Sequence, residues 1–341
     1  MAKVKTSELL DALTKVRPGL ANKEIVEHST SFAFMGDRVV TFNDELAVSH
    51  PIKVGFEGAV QAEELHKLLT RIKDETLILE VTQGDEGSQL LIKGKKLNAG
   101  IRLDSEVRLP LDSINAAKKW NKLPENFLEG LRFVLFSASR DMTKPALTCV
   151  HVDGALLETC DQFRITRWKM KDGAIKAEVL IPAATCRALL AFKVVDQCVV
   201  DGWVHFRTEA GTILSARTID HEEYKFPDLD DFLSVEGEDL MLPQEMVTDM
   251  LSRAGVFSQK DFDSDEEVTL VLEPGKVTVK AQGKIGWLEE TGRIKYDGEQ
   301  REVVINPQFL IEILAHLEET TVSENAMLFT GDNFMHAISL V

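Results

Sequence analysis

The chain has 341 residues, 44% of them hydrophobic and 28% charged, with a net charge of −17. These proportions belong to folded globular chains and exclude extensive disorder, while the length suits two or three domains rather than one core. No apolar run approaches the roughly 18 residues that cross a bilayer, and the N-terminal MAKVKTSELLDALTK turns amphipathic before a signal-peptide core could form, so a cytoplasmic location is expected.

In chain order, one succession of elements is read three times, about 119 residues apart. The first copy opens with a helix carrying Leu9, Leu10, Leu13 and Val16 after a Thr6 or Ser7 cap, ended by Pro18-Gly19. FAFMGDRVVTF then reads as a hairpin turning on a glycine, and a second helix follows with Leu65, Leu68, Leu69 and Ile72 inward. In the second copy the same places hold Phe127, Leu128, Leu131, Val134 and Leu135 after Pro124, the hairpin TCVHVDGALLETC, and a helix with Leu189, Leu190 and Val194. In the third they hold Met246, Met250 and Leu251 after Pro243, the hairpin TLVLEPGKVTVK, and Phe309, Leu310, Ile313, Leu314 and Leu317. Pro124 and Pro243 suit a first helical turn, where no backbone donor is needed. The expected fold is therefore α+β, with three repeated domains over 1–118, 119–235 and 236–341, each a β-sheet backed by two α-helices. Residues 112–123, with Lys118, Lys119 and Lys122, and the acidic 228–242 are the expected linkers.

Catalytic patterns are missing. The sequence holds no GxSxG, HExxH or GxGxxG, its histidines are scattered, and Cys149, Cys160, Cys186 and Cys198 form no CxxC pair, so they read as reduced buried thiols. The stretch from Asp261 to Glu267 begins like a calcium loop but lacks the sixth-position glycine and carries Leu272 where the bidentate Glu belongs. No enzyme activity, metal or cofactor is expected. Charge is uneven: Lys and Arg against Asp and Glu number 17 and 18 over 1–120, 14 and 17 over 121–235, and 8 and 21 over 236–341.

The threefold order resembles the bacterial DNA polymerase III beta subunit, the beta sliding clamp family. LLETCDQFRITRWKM is similar to a hairpin of the family's middle domain through Asp161, Arg164 and Ile165. ARTIDHEEYKFPDLDDFL is similar to the following junction through Ile219-Asp220, Phe226-Pro227-Asp228 and Phe232-Leu233. The resemblance runs along the whole chain with trimmed loops, as in a diverged member from a bacterium or a phage.

The resemblance implies a head-to-tail homodimer whose three repeated DNA-clamp domains per chain close a ring around double-stranded DNA without sequence specificity, working in the cytoplasm of a bacterial cell or infected host. Sliding needs phosphate contacts and no base readout. The basic positions that would face DNA are Lys15, Arg17, Lys23, Lys67, Arg71, Lys73, Arg132, Arg140, Arg187, Lys193 and Arg253, with Lys260 as a further candidate. Glu312, Glu318 and Glu319 would leave the third copy's second helix neutral or repulsive. A replicative DNA polymerase and a clamp loader would dock peptides in an apolar cleft between the second and third domains, at Leu147, Phe163, Arg164, Ile165, Pro227, Phe232, Ile338 and Leu340. Here the chain departs from the family: Gln162 and Phe163 replace Gly-His, and Asp231 stands where a basic residue is usual. Ring closure would join Leu97 and Leu103 to Val256 and Phe257. The alternative is a non-catalytic protein-binding scaffold of clamp-like domains that does not encircle DNA, which the weak basicity of the third copy favours.

Overall fold

The computed structural model, which describes residues 2–84, 87–114, 117, 119–258 and 266–340, passes through one order of elements three times. The first passage runs β1 (Ala2–Lys5), α1 (Thr6–Val16), β2 (Ser31–Met35), β3 (Arg38–Phe42), β4 (Leu46–Pro51), β5 (Gly58–Gln61), α2 (Ala62–Arg71), β6 (Thr76–Gly84), β7 (Gly87–Lys93) and β8 (Asn98–Arg102). The second runs β9 (Asn121–Lys122), α3 (Phe127–Val134), β10 (Cys149–Gly154), β11 (Leu156–Cys160), β12 (Arg164–Lys169), β13 (Ile175–Pro182), α4 (Ala183–Leu189), β14 (Val194–Val200), β15 (Trp203–Thr208) and β16 (Ile213–Arg217). The third runs β17 (Glu238–Met241), α5 (Gln244–Ser258), β18 (Val268–Glu273), β19 (Lys276–Gly283), β20 (Gly286–Arg293), an added β21 (Lys295–Tyr296), β22 (Arg301–Ile305), α6 (Pro307–Leu314), β23 (Glu319–Val322), β24 (Ala326–Thr330) and β25 (Phe334–Ser339).

The same physical devices recur at matching places. Gly36 and Gly154 take φ of +56° and +57° in the hairpin turns, a left-handed conformation that side chains disfavour. After the hairpin's second strand, Asn43 Oδ1 accepts from the amides of Glu45 and Leu46, and Asp161 Oδ1 accepts from those of Phe163 and Arg164, so both turns are Asx turns. The hydroxyls of Thr41 and Thr159 donate to the carbonyls of Val16 and Val134, each at 2.5 Å, tying a strand to the otherwise unsatisfied end of the opening helix.

By its packing the chain divides into two compact units, residues 1–123 with 181–220 and residues 124–180 with 221–341. The first unit holds an eight-stranded antiparallel sheet, ordered β5-β2-β3-β4-β16-β15-β14-β9, and a four-stranded sheet β1-β6-β7-β8. The second holds a nine-stranded sheet, β13-β10-β11-β12-β25-β24-β23-β17-β21, and a four-stranded sheet β20-β19-β18-β22. One small sheet per copy was expected; instead β4 pairs with β16 and β12 with β25, so that strands of adjoining copies share a ladder. Pairing two edges in this way satisfies their backbone groups and leaves no sticky edge at the seam.

Core faces follow the apolar periodicity. Leu9, Ala12, Leu13 and Val16 of α1, Val247, Met250, Leu251 and Ala254 of α5, and Phe309, Leu310, Ile313 and Leu314 of α6 are buried. In α3, an ideal Cβ on Gly130 would come within 2.3 Å of the Trp168 ring, so the helix approaches the sheet as only glycine permits.

Several local expectations are corrected. Neither Thr6 nor Ser7 caps α1: Lys5 holds the cap position without a capping bond from its side chain, which pairs with Glu8 instead, and Thr6 Oγ1 donates to Asp74 O at 2.5 Å. Pro124 and Pro243 precede their helices, whereas Pro307 occupies the first turn of α6, capped by Asn306 Oδ1. Val194 belongs to β14 rather than to α4, and Leu10, Leu68, Leu128, Leu190, Met246 and Leu317 are only half-buried at the margins of their helices. The expected linkers carry structure: Asn121–Lys122 joins the first unit's sheet as β9, and Glu238–Met241 joins the second unit's as β17. Lys118, Lys260 and the stretch from Asp261 to Asp265 of the calcium-like loop lie outside the described residues.

Candidate functional site

The second unit contains a groove of about 670 Å³ built by three chain segments. The first supplies Leu147 and the run from Cys160 to Ile165, the second Pro227, Leu229, Asp231, Phe232, Ser234, Val235 and Glu236, and the third Ser323, Asn325, Ala326, Ala337 and Ser339. Beneath it Cys160, Leu229, Leu233, Leu328 and Ala337 form a buried apolar cluster, with Leu147, Ile165, Phe226, Val235 and Met335 packed against it. Phe232 stands 62% exposed at the opening.

Six of the eight expected cleft residues are brought together here: Leu147, Phe163, Arg164, Ile165, Pro227 and Phe232. The other two are not. Ile338 is fully buried and Leu340 follows the end of β25; successive strand residues face opposite ways, so Ala337 and Ser339 line the groove instead. Leu229, Val235 and Glu236 were also missed, because the acidic segment around them reads as a linker. The spacing of Leu229, Phe232 and Leu233 was the available signal, matching the short turn Asp231–Leu233 that turns Leu233 inward.

Arg164 organises the groove's inner end. The Asp161 turn fixes its backbone, Nε donates to Asp161 Oδ2 at 3.1 Å, and Nη1 donates to Glu312 of α6. Its guanidinium lies 4.0 Å from the Phe309 ring centroid, a cation-π contact. Two of the three carboxylates expected to oppose DNA thus have internal duties: Glu312 pairs with Arg164, and Glu318 Oε1 accepts from the Gln244 amide at 2.7 Å in the first turn of α5. Glu319 is exposed.

Behind the groove, His151 stacks on Phe226 at 4.5 Å, with Nδ1 2.9 Å from Glu158 and Nε2 3.2 Å from Glu178. Burial alone would lower its pKa, but hydrogen bonds and charge from Glu158 and Glu178 outweigh burial and raise it. Arg167 bridges Glu158 at 2.5 Å to Asp230 at 2.7 Å, fixing the 226–233 segment to the sheet. Burial, then the charges of Asp161 and Glu158, push the Cys160 thiol up to about 12, which keeps it protonated and unreactive. All four cysteines are buried. Among the described residues no group of three His, Cys, Asp or Glu is arranged to hold a metal ion.

The basic candidates divide unevenly. Lys15, Arg17, Lys23, Lys67, Arg71, Lys73, Arg187 and Lys193 belong to the first unit, and Arg132, Arg140 and Arg253 to the second. All are exposed except the half-buried Lys15. Lys15 pairs with Asp11 and Lys67 with Glu63, each at 2.5 Å, exchangeable surface pairs of little energetic weight. Arg253 is held bidentately by Glu290, at 2.9 and 2.7 Å. Charge follows the same division. The first unit carries 22 Lys and Arg against 22 Asp and Glu, the second 17 against 34, so the whole net charge of −17 resides on the second.

The expected ring-closing positions also separate. β8 and β20 are the edge strands of their four-stranded sheets among the described residues, and Leu97 is half-buried at the turn into β8. Leu103 is a correction: it is 2% exposed, packed where a Cβ on Gly58 would meet its Cδ1 at 2.8 Å, and cannot face a partner. Val256 is 55% exposed, and Phe257 lies over Gly286 beside the exposed Ile285 and Trp287.

The threefold passage through a strand, a helix, four strands (five in the third, with β21), a second helix and three strands, with its shared ladders, defines the fold of DNA sliding clamps. It is the fold of DNA polymerase III beta subunits in particular. The chain matches a putative DNA polymerase III beta subunit from Eubacterium rectale with a TM-score of 0.83 at 17% identity, covering 99% of this chain and 98% of that one. It matches the DNA polymerase III beta chain from Streptococcus pneumoniae with a TM-score of 0.86 at 17% identity and the same coverage. In sequence it is similar to the beta sliding clamp of Chlamydia muridarum, 25% identical over 199 residues, 57% of this chain and 51% of that relative. The matched stretch thus spans about half the length of the curated relative. No protein-family model matches the chain.

No helix among the described residues is long and apolar enough to cross a membrane.

Proposed function

We propose that the chain is a diverged, non-catalytic DNA sliding clamp with domains 1–118, 119–235 and 236–341. It would act in the cytoplasm as a processivity factor that encircles duplex DNA and docks the replicative polymerase and clamp loader through the second unit's groove. The observation that carries this reading is the groove itself: six positions singled out by resemblance, drawn from 147–165 and 227–232, meet on one apolar opening. An open apolar groove of this size on a folded chain is accounted for by a docking segment.

The exposed Lys and Arg side chains of the charge-balanced first unit would carry most of the phosphate contact. Pairing with Arg164 offsets the charge of Glu312, one of the carboxylates that would oppose it, whereas Glu318, bonded to the Gln244 amide, keeps its charge. Head-to-tail dimerisation would set the β8 edge, with Leu97, against the β20 edge, with Val256, Phe257, Ile285 and Trp287; edge pairing between copies would satisfy both ladders.

Sedimentation at micromolar concentration should show a species near twice 38.1 kDa. The protein should stay on nicked circular DNA after loading and leave when the circle is cut. A monomer at every concentration, or equal retention on linear and circular DNA, would favour the scaffold reading, to which the acidic second unit lends weight.

A further inference from the structure

We propose that this groove selects an apolar peptide segment flanked by basic residues; the inference rests on reading the groove as a docking site. Its charged lining consists of Asp161, Arg164, Asp231 and Glu236. The two inner groups are committed internally. Asp161 accepts from the amides of Phe163 and Arg164 and from Arg164 Nε, while Arg164 also donates to Glu312 and lies against Phe309. Arg164 therefore offers an incoming carboxylate little: recruiting it would strip the partly buried Glu312 of its charge partner, leaving only the Gln308 amide bond.

The two outer groups are in the opposite condition. Asp231 and Glu236 are exposed at the opening, and no ion pair engages either among the described residues. Arg140, Lys144 and Lys225 stand on adjoining segments but do not line the groove. The floor is apolar through Leu147, Ile165, Leu229 and Val235, and the volume is in the range that takes a few side chains. An occupant must thus bring apolar anchors for the floor and positive charge for the rim. The second unit's excess of 34 acidic over 17 basic residues acts in the same direction at longer range, drawing cationic segments in and repelling anionic ones.

The test uses the full chain and two fluorescein-labelled synthetic peptides with one shared core of two leucines and a phenylalanine, flanked by two lysines or by two glutamates. Fluorescence polarisation at low salt should give the lysine-flanked peptide about three- to tenfold tighter binding, the range that two exposed charge pairs supply. That advantage should vanish in high salt and shrink severalfold in the double variant Asp231→Asn, Glu236→Gln, whose exposed positions leave the fold intact, the remainder coming from the second unit's long-range field; an advantage undiminished in the double variant overturns the rim's part in the selection. Phe232→Ala should weaken both peptides. Equal or tighter binding of the glutamate-flanked peptide overturns the charge selection while leaving the groove as a docking site. Binding of neither peptide, or binding indifferent to Phe232→Ala, overturns the docking reading and the inference with it.

Discussion

Lowering the pH asks His336 to take up a proton where the fold has no means of accommodating the charge. The ring is fully buried in β25, on the strand face opposite the groove-lining Ala337. Its Nδ1 lies 2.8 Å from Thr166 Oγ1, itself 2.5 Å from Ser137 Oγ, and its Nε2 has no hydrogen-bond partner among the described residues. Burial above all, then the positive charges of Arg164 and His316, lower its pKa from 6.5 to about 3. A folded state that binds fewer protons than the unfolded chain gains stability as pH rises, so the contribution is complete above 6.5 and drains away as pH falls toward 3. At about 1.4 kcal/mol per unit, acidification to about pH 4.5 should remove about 2–3 kcal/mol from the second unit. The assay compares urea unfolding of the parent and of His336→Asn, which keeps a polar atom toward Thr166 but cannot titrate, between about pH 7.5 and 4.5. The parent should lose about 2–3 kcal/mol relative to the variant over that range. A difference that stays constant with pH would refute the reasoning, since other titrating groups cancel in the comparison.

Two further outcomes follow from local geometry. Gly130→Ala should destabilise the second unit by about 1–2 kcal/mol, because overpacking against Trp168 outweighs the gain in helix propensity. Gly255→Ala in α5, where an added Cβ meets none of the described residues within 4 Å, is the control and should raise the urea midpoint. His151 behaves oppositely to His336: its raised pKa, held up by Glu158 and Glu178, contributes stability below 6.5 that is lost as pH climbs through the folded value. The thermal-midpoint difference between the parent and His151→Gln should therefore shrink from pH 6.5 upward; a difference that grows with pH would contradict it.

The order of elements was legible in the sequence because it depends on short-range signals. Apolar spacing marked α1, α3, α5 and α6, and Gly36, Gly154 and Gly275 marked the hairpins, each governed by neighbours a few positions away. Leu147, Phe163, Arg164, Ile165, Pro227 and Phe232 could be singled out as cleft positions only through resemblance to known strings. Where a reading failed, the missing term was tertiary. Leu103 looked like an edge residue until its packing beside Gly58 buried it, and Ile338 was one position out of phase with the strand face that opens to the groove.

By itself the sequence determined three passages of like elements, the absence of recognised catalytic motifs, and a charge that grows more negative along the chain. Local propensity and composition suffice for those. Only the tertiary structure decided that β4 joins β16 and β12 joins β25, that the charge divides as nil on one unit and −17 on the other, and that Glu312 engages Arg164 while no ion pair among the described residues engages Asp231 or Glu236. β4 and β16, β12 and β25, and Arg164 and Glu312 are each more than a hundred positions apart, and no local pattern records which of several chemically equivalent candidates the folded chain brings within reach.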